Sequence, residues 1–252
     1  MGMRIAGLLL AASAALPAYG SQCVAESGPG TAALVELYTS EGCSSCPPAD
    51  RWLASLGQRY VPAKVVPLAL HVDYWDYIGW RDPYAKREYS LRQRKLSQLQ
   101  RMALVYTPQV VLQGRDFRGW AGKAFDEAVA RINAQPAKVR MKLAVLSVER
   151  KTLEVEASAE LLEPTADAAL YLAAYQSKLE SRVSAGENRG RILNHDYVVL
   201  EWLGPFPIAG RLAERRTLPL LPGARADNSG AAAFVQDRHT GEVLQALLQS
   251  AC

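Results

Sequence analysis

The chain has 252 residues, of which 49% are hydrophobic and 21% are charged, and its formal net charge is +4. This composition is typical of a globular protein, and a chain of this length can form one large domain or two modest ones. The charge is too small to indicate a nucleic-acid partner. The locally basic segment from Arg81 to Arg101 is best interpreted as the solvated face of a helix.

The first 20 residues have the pattern of a secretory signal peptide. Arg4 precedes an apolar run from Ile5 to Leu16, and Ala18 and Gly20 supply the small residues that a signal peptidase reads. The run is too short to span a membrane. We therefore predict that residues 1–20 are removed, that no membrane span remains, and that the mature chain is periplasmic or secreted, in a compartment where disulfides persist.

Four cysteines follow the predicted signal peptide. Cys43 and Cys46 form a Cys-x-x-Cys pair, whose spacing brings both sulfurs within bridging distance. Cys23 and Cys252 lie near opposite ends of the sequence, and the even number of cysteines in an exported protein favours a bridge between them. Closing so long a loop would stabilise the fold by about 4 kcal/mol. Two unpaired thiols are the alternative.

The first half of the chain alternates strands and helices. The pattern predicts a strand over Ala33–Tyr38, a helix over Arg51–Arg59 and a fully buried strand over Lys64–His71, which together form a βαβ unit. The later predicted elements are a helical stretch over Tyr84–Met102, strands over Val110–Leu112 and Phe117–Trp120, and a helix over Gly122–Asn133.

From Ala137 onward the hydrophobic pattern changes to a period of two. The strand candidates are Val139–Val148, Leu153–Leu161, Ala169–Gln176, Tyr197–Trp202 and a hairpin around Phe234–Leu244, while a helix over Glu242–Gln249 is left open. Several short strands separated by turns and prolines predict a small all-β sandwich.

The stretch Val35–Leu56 places the cysteine pair between a strand and a helix. Cys43, as the outer cysteine, is expected to be the attacking thiolate because a helix N-terminus favours the anion, and Cys46 is expected to resolve the mixed disulfide. A bridge over so few residues restrains the unfolded chain little, which favours redox use over a structural role. Because proline disfavours α geometry in the residue before it, Pro47 and Pro48 predict that the helix begins near Pro48.

Four strings connect the sequence to known families: ELYTSEGCSSCPPAD, HVDYWDYIGWRDPY, YTPQVV and GENRGR. With them the chain resembles the secreted bacterial family of domain of unknown function 1223 over nearly the whole mature length. The order of strand, Cys-x-x-Cys and helix resembles the thioredoxin fold. The resemblance implies that residues 21–136 form an α/β thioredoxin-like domain, which contains a helical insertion. Together with the β pattern above, it implies that residues 137–252 form a small all-β sandwich domain.

The resemblance to thioredoxins also implies roles for residues outside the cysteine pair. Pro108 matches the position of the family's cis-proline, so the backbone of Thr107 would pair with a bound peptide beside the disulfide. Glu36 lies where thioredoxins carry a buried acid that relays a proton to the inner cysteine, here Cys46. The alternative for Glu36 is that strand alternation turns its side chain to water.

We expect this protein to be an exported thiol-disulfide oxidoreductase. It would exchange disulfides with protein thiols or with a redox partner protein through Cys43 and Cys46, and without an organic cofactor. This hypothesis requires both sulfurs to lie at an accessible rim of the protein, beside a cis prolyl bond at Pro108.

Two other classes of function stay open at the level of sequence. Cys43, Cys46 and His71 form a ligand set for Cu(I) or zinc, as in a metallochaperone, although a histidine at the end of a buried strand is more often a satisfied core residue. A non-enzymatic binding module with idle cysteines is the other class. The sequence assigns no role to the segment Gly186–Arg191, no direction of electron flow and no oligomeric state.

Overall fold

The computed structural model describes residues 23–252, so the predicted signal peptide lies outside the described residues. The described helices are α1 (Pro47–Arg59), α2 (Arg87–Leu99) and α3 (Lys123–Asn133), with short 3-10 helices over Asp73–Ile78 and Ala226–Asn228. The described strands, β1 to β14, run over Cys23–Glu26, Ala33–Thr39, Val65–His71, Gln109–Leu112, Arg115–Asp116, Val139–Glu149, Thr152–Leu161, Ala168–Gln176, Leu179–Arg182, Ile192–His195, Val198–Pro207, Arg211–Pro219, Ser229–Asp237 and Val243–Ser250.

Eight of the described strands form one continuous sheet, in the order β14-β13-β8-β11-β3-β2-β4-β5. The two halves of the chain meet where β11 pairs in parallel with β3, with Val198 opposite Ala69. The Ala69 amide donates to the Tyr197 carbonyl at 2.9 Å across this junction. The sheet therefore continues from one predicted domain into the other.

The predicted fold class, a thioredoxin-like α/β domain followed by a small all-β sandwich, is wrong. Strands hold 43% of the described residues and helices 20%, and they belong to several sheets. The pattern analysis failed because period-two runs show that a strand is buried but not which strand lies beside it. Strand β8 is buried at every position, as expected for an interior strand of a large sheet covered on both faces.

The large sheet has a different cover on each face. On one face, α2 packs over a cluster that includes Leu68, Tyr89 and Phe234. On the other face, α1 and α3 cover β2, β3 and β4 through Leu53 and Phe125. The four-stranded sheet β1-β6-β7-β12 covers the remaining strands on that same face.

Two local predictions differ from the structure, one at the start of helix α1 and one near the end of the chain. Helix α1 begins at Pro47 rather than Pro48, and Cys46 already has α-helical backbone angles (φ −77°, ψ −37°). Prolines at the first two helical positions are tolerated because the amides there need no intrahelical partner. In the second half, the segment left open as a helix over Glu242–Gln249 is strand β14 for most of its length.

The predicted bridge between Cys23 and Cys252 is present. It joins the start of β1 to the end of β14 with a Cα–Cα distance of 5.8 Å and spans 229 positions of the sequence. Within residues 23–252, no helix is long and apolar enough to cross a membrane.

Loss of the Cys23–Cys252 bridge should destabilise the protein. We expect the variant Cys23→Ala/Cys252→Ala to lose about 4 kcal/mol in free energy of unfolding, since so long a loop restrains the unfolded chain strongly. Urea denaturation measures this loss. The matched control is Cys43→Ala/Cys46→Ala, in which a much shorter loop opens. If the control loses as much free energy of unfolding or more, loop length does not determine how strongly these two bridges stabilise the fold.

Candidate functional site

The candidate site lies where β2 and β3 end, next to the N-terminus of α1. These parallel strands end at Thr39 and His71, which are direct neighbours in the sheet register. Alternation along the strands turns both side chains toward the face covered by α1, because Leu37 and Ala69, two positions earlier, pack in the α1 cluster. The turn from Ser40 to Cys46 then leads from β2 into the helix.

Cys43 and Cys46 form a disulfide with a Cα–Cα distance of 5.4 Å. The turn is held by the Cys43 amide, which donates to the Ser40 carbonyl at 3.1 Å, and by the Cys46 amide, which donates to the Cys43 carbonyl at 3.2 Å. Ser44 and Ser45, between the two cysteines, are exposed.

Both cysteines are 0% exposed, so the expectation of an accessible pair with an outer Cys43 is wrong for this state of the protein. A segment more than 130 positions away contacts the backbone of the cysteine turn. We name residues 183–191, which connect β9 to β10, the cover loop. The loop contains the segment Gly186–Arg191, to which the sequence gave no role.

The cover loop is attached to the cysteine turn by polar contacts. The Asn188 side-chain amide donates to the carbonyls of Glu41 (2.8 Å) and Cys43 (2.9 Å), and Asn188 is fully buried. Next to it, the Glu187 carboxylate accepts from the Ser44 amide at 3.0 Å. Hydrogen bonds from Ser44 lower the pKa of the Glu187 carboxyl. These hydrogen bonds attach the loop to the turn, and the one from Ser44 lies at the exposed surface.

The 3-10 helix over Asp73–Ile78 closes another side of the site. Trp75 and Ile78 lie so close to Gly42 that a Cβ there would be 3.1 Å from the Trp75 Cβ and 3.2 Å from the Ile78 Cδ1. The Trp75 indole donates to the Thr107 hydroxyl at 2.7 Å. Gly42 thus allows an aromatic residue to bridge the cysteine turn and the segment before β4.

Thr107 and Pro108 lie at the place that the resemblance implied. The Thr107–Pro108 peptide bond is cis. Since Tyr38 pairs with Gln109 in the antiparallel register of β2 and β4, Pro108 lies opposite the end of β2, a few residues before the disulfide. Peptide binding by the Thr107 backbone stays a prediction.

Glu36 lies on the opposite face of the sheet from α1 and is 0% exposed. Its carboxylate accepts two hydrogen bonds from Arg92, both at 2.7 Å, and a third from the Tyr38 hydroxyl at 2.7 Å. The guanidinium carbon of Arg92 also lies 4.3 Å from the centroid of the Trp202 ring. Alternation along β2 separates Glu36 from Cys46, so Glu36 neither faces water nor serves as the predicted relay. It anchors α2 to the sheet.

Polar groups are buried on the α1 side, near the cysteine turn. The His71 Nδ1 lies 2.7 Å from Asp82 Oδ2, and the His195 Nε2 lies 2.9 Å from Glu41 Oε1. The two imidazole rings are 5.0 Å apart. Asp50, from the first turns of α1, is buried in the same region, where its carboxyl interacts electrostatically with both histidines.

Burial and neighbouring charges oppose each other in this cluster. Burial acts to lower the pKa of His71, but Asp82 and other carboxylates outweigh it, so the pKa is raised. Burial acts to raise the pKa of Asp82, but His71 and hydrogen bonds to its carboxylate outweigh it, so the pKa is lowered. Each member of the pair therefore favours the charged form of the other.

The geometry does not favour the metal alternative. Cys43 and Cys46 are bonded to each other, so neither sulfur is a thiolate ligand in this structure. Within residues 23–252, no group of three or more His, Cys, Asp or Glu is arranged to hold a metal ion.

Sequence reasoning missed three residues of the site: Asp50, Asn188 and His195. Asp50 had a usable signal, since it follows Cys46 by four positions and so shares its face of the helix. Asn188 lies in one of the four family strings but had no partner that the sequence could identify. His195 reaches the site because β10 and β11 lie beside α1 and β3, which no local pattern indicates.

Comparisons with known proteins identify a family and two similar folds. The family model for a protein of unknown function, DUF1223, matches residues 34–236. A structural genomics structure from Agrobacterium tumefaciens is 25% identical, with a TM-score of 0.62 over 89% of this chain and 96% of that one. HBP35 of Porphyromonas gingivalis is 14% identical, with a TM-score of 0.66 over 89% of this chain and 76% of that one. No curated protein matches the sequence.

Both structural alignments extend across residue 136, because each covers 89% of this chain. The shared fold therefore includes elements from both of the predicted domains. This agrees with the continuous sheet described above.

Removing the Asn188 side chain should expose the disulfide. We expect Asn188→Ala to raise the rate at which dithiothreitol reduces the Cys43–Cys46 bond roughly thirtyfold under native conditions, because two hydrogen bonds of about 1 kcal/mol each are lost. The matched control is Arg189→Ala, which truncates the exposed neighbour in the same loop. Urea denaturation of both variants separates local opening from global unfolding. Equal rates in the two variants would show that the loop does not control access.

Glu36→Gln should act on stability alone. Leaving the buried Arg92 charge without its carboxylate is expected to cost about 3 kcal/mol of unfolding free energy. The rate of Cys43–Cys46 reduction should stay at the wild-type value under native conditions. Glu88→Gln, which removes an exposed carboxyl of α2, is the control and should change stability by less than about 0.5 kcal/mol. If the Cys43–Cys46 bond is reduced more slowly in Glu36→Gln than in wild type, the predicted role of Glu36 as a proton relay would be supported after all.

Proposed function

Because the chain belongs to the DUF1223 family, whose function is unknown, we propose its function from the site itself: exchange of disulfides with protein thiols through Cys43 and Cys46. The observation that carries the proposal is a disulfide at the N-terminus of α1, beneath a cover held by few hydrogen bonds. The order of strand, Cys-x-x-Cys and helix supports a thioredoxin-like redox chemistry at this site, within a fold that differs from the one predicted.

A purely structural role gives a weaker account of this bond. On the chain-entropy model, a loop closed over three positions stabilises by about 2 kcal/mol, less than the long Cys23–Cys252 loop. The long bridge already restrains the chain as a whole. The short bond lies where the helix N-terminus can stabilise a thiolate, which is a condition for exchange.

Both sulfurs are buried, so the accessible position that the hypothesis from sequence requires is not met in this structure, and the exchange reaction requires the cover loop to move first. A thiolate of the partner protein then attacks the Cys43 sulfur, the Cys43–Cys46 bond breaks, and Cys46 leaves with its electron pair. A second thiol of the partner, after losing its proton, attacks the mixed disulfide and releases Cys43. Two electrons pass from the partner dithiol to the protein, and the partner leaves as a disulfide. The same steps in reverse reduce a partner disulfide, with the two electrons supplied by the Cys43–Cys46 dithiol.

The proposal includes export from the cytoplasm. Two disulfides are present in the described part of the chain, which supports an oxidising compartment. The signal-like pattern of residues 1–20 supports the same location.

Trapping partners through Cys43 tests the proposal. In a Cys46→Ser variant expressed in its own cell envelope, the Cys43 thiolate attacks a disulfide of the partner and releases one partner thiolate, and no Cys46 thiol is present to resolve the mixed disulfide, so we expect protein adducts of Cys43 on non-reducing gels. Adding Asn188→Ala should raise the yield, and Cys43→Ser/Cys46→Ser is the matched control. The absence of adducts from Cys46→Ser/Asn188→Ala, while its Cys43 reacts with a small alkylating agent, would refute exchange. If no adducts form and the wild type binds copper stoichiometrically, the metallochaperone class is supported. If no adducts form and no copper binds, the non-enzymatic binding module is supported.

A further inference from the structure

The cover loop binds a single peptide unit of the cysteine turn at both of its ends. The Asn188 side-chain amide donates to the Cys43 carbonyl at 2.9 Å, and the Glu187 carboxylate accepts from the Ser44 amide at 3.0 Å. This carbonyl and this amide belong to the same peptide bond, which joins Cys43 to Ser44. That peptide bond lies inside the ring that the Cys43–Cys46 disulfide closes. The loop therefore holds a piece of backbone whose freedom depends on the redox state of the cysteine pair.

The cover loop also has hydrogen bonds of its own. The Val183 amide donates to the Arg191 carbonyl at 3.0 Å, and the Gly190 amide donates to the Val183 carbonyl at 2.8 Å. Gly186 lies against the 3-10 helix, because a Cβ there would be 3.0 Å from the Ile78 Cδ1. The loop is thus a formed element, and its contacts with the cysteine turn decide whether it stays over the disulfide.

Two opposing contributions act on the closed position of the loop. Asn188 is fully buried and donates to two carbonyls, but its Oδ1 has no hydrogen-bond partner among residues 23–252. A buried acceptor without a partner costs free energy and offsets part of this gain. The Glu187 contact is exposed, so water competes for both of its groups. A small change in the turn is therefore enough to shift the balance between a closed and an open loop.

The disulfide orders the turn before the loop binds it. The bond between Cys43 and Cys46 closes a small ring, which restricts the backbone torsion angles of the residues inside it. The Cys43–Ser44 peptide is then already oriented for the loop. After reduction, closing the loop also has to order this peptide, which adds a cost in conformational entropy. Closure is therefore weaker on the dithiol than on the disulfide.

We propose, on the basis of the exchange function above, that the cover loop is a redox-dependent clamp, closed on the Cys43–Cys46 disulfide and released from the dithiol. Both sulfurs are 0% exposed in the disulfide form, so the form that meets a partner is the dithiol. The partners are then oxidised proteins, whose disulfides are reduced. By linkage, closure of the loop stabilises the disulfide by the same factor by which the disulfide stabilises closure.

The reaction with such a partner balances in electrons and protons. The Cys43 thiolate attacks the partner disulfide, and the partner thiolate that leaves takes a proton from water. The Cys46 thiol loses its proton to water, and its sulfur attacks Cys43 in the mixed disulfide and releases the second partner thiolate. Two electrons pass from the cysteine pair to the partner. The loop closes on the new disulfide, and a donor protein with a dithiol displaces the loop, restores the pair and becomes a disulfide itself.

The test measures exchange of the Cys43–Cys46 pair with reduced and with oxidised dithiothreitol, in wild type and in Asn188→Ala. Alkylation of free thiols followed by peptide mapping distinguishes this pair from the long bridge. Because the clamp acts on the disulfide alone, the variant should be reduced about thirtyfold faster and reoxidised at the wild-type rate. Its equilibrium constant for reduction then rises by the same factor, about 44 mV for two electrons. Arg189→Ala, the matched control, should keep both wild-type rates.

Two outcomes of this experiment would overturn the proposal. If Asn188→Ala speeds reduction and reoxidation by the same factor, the equilibrium constant is unchanged, and the loop is a lid that does not distinguish the two redox states. If neither rate changes, the loop does not act on the cysteine pair at all.

Hydrogen exchange of the wild type decides the question if Asn188→Ala does not fold. Residues 183–191 should exchange their amide hydrogens at least about tenfold faster in the dithiol form than in the disulfide form, since a released loop is open to water. Strand β13 is the internal control and should exchange equally in both forms. Equal exchange of the loop in both forms would overturn the clamp.

These measurements use no partner protein, so they separate the clamp from the proposed function. Trapping with Cys46→Ser can fail while Asn188→Ala still shifts the equilibrium constant, which would leave a clamp without an exchange function. Trapping can also succeed while the equilibrium constant stays the same, which would leave exchange without a clamp.

Discussion

The parallel pairing of β11 with β3 determines most of what is distinctive in this structure. It joins the strands of both halves into one sheet, through the contact of Val198 with Ala69 and the hydrogen bond from Ala69 to Tyr197. As a consequence, β10 and the cover loop lie against the N-terminus of α1. The candidate site is therefore assembled from segments far apart in the sequence, and neither half contains it alone.

Two buried charge arrangements lie on opposite faces of the same sheet and have different properties. On the α2 face, the Arg92 guanidinium donates two hydrogen bonds to the Glu36 carboxylate, and it also packs against the Trp202 ring. On the α1 face, the His71 Nε2 is buried without a hydrogen-bond partner among residues 23–252, next to the His71–Asp82 contact. Fully paired networks make a core rigid, whereas a buried polar atom without a partner requires an explanation, such as strain, a catalytic role or a bound water.

The sequence was most informative where structure is local. The strand before the cysteine pair, the two disulfides and the family all followed from residues close together in a pattern or from the cysteine count. The fold class failed because hydrophobic period reports burial and not strand order, so the continuation of the sheet from β3 into β11 left no signal. Glu36 was assigned by its position next to the motif, although strand alternation decides which face it occupies. Asn188 could not be assigned because its partners, the Glu41 and Cys43 carbonyls, are backbone atoms that carry no residue-type signature.

The bridge between Cys23 and Cys252 also bears on the order in which the protein matures. Cys252 is synthesised 229 positions after Cys23, so three thiols emerge from the ribosome before the fourth exists. During that interval Cys23 has only wrong partners, Cys43 and Cys46. Closing the short Cys43–Cys46 loop first, once these residues reach the oxidising compartment, would remove both of them from competition and leave Cys23 reduced until β14 takes its place in the sheet. The bond proposed for exchange in the mature protein would thus first act as a safeguard against mispairing during biogenesis.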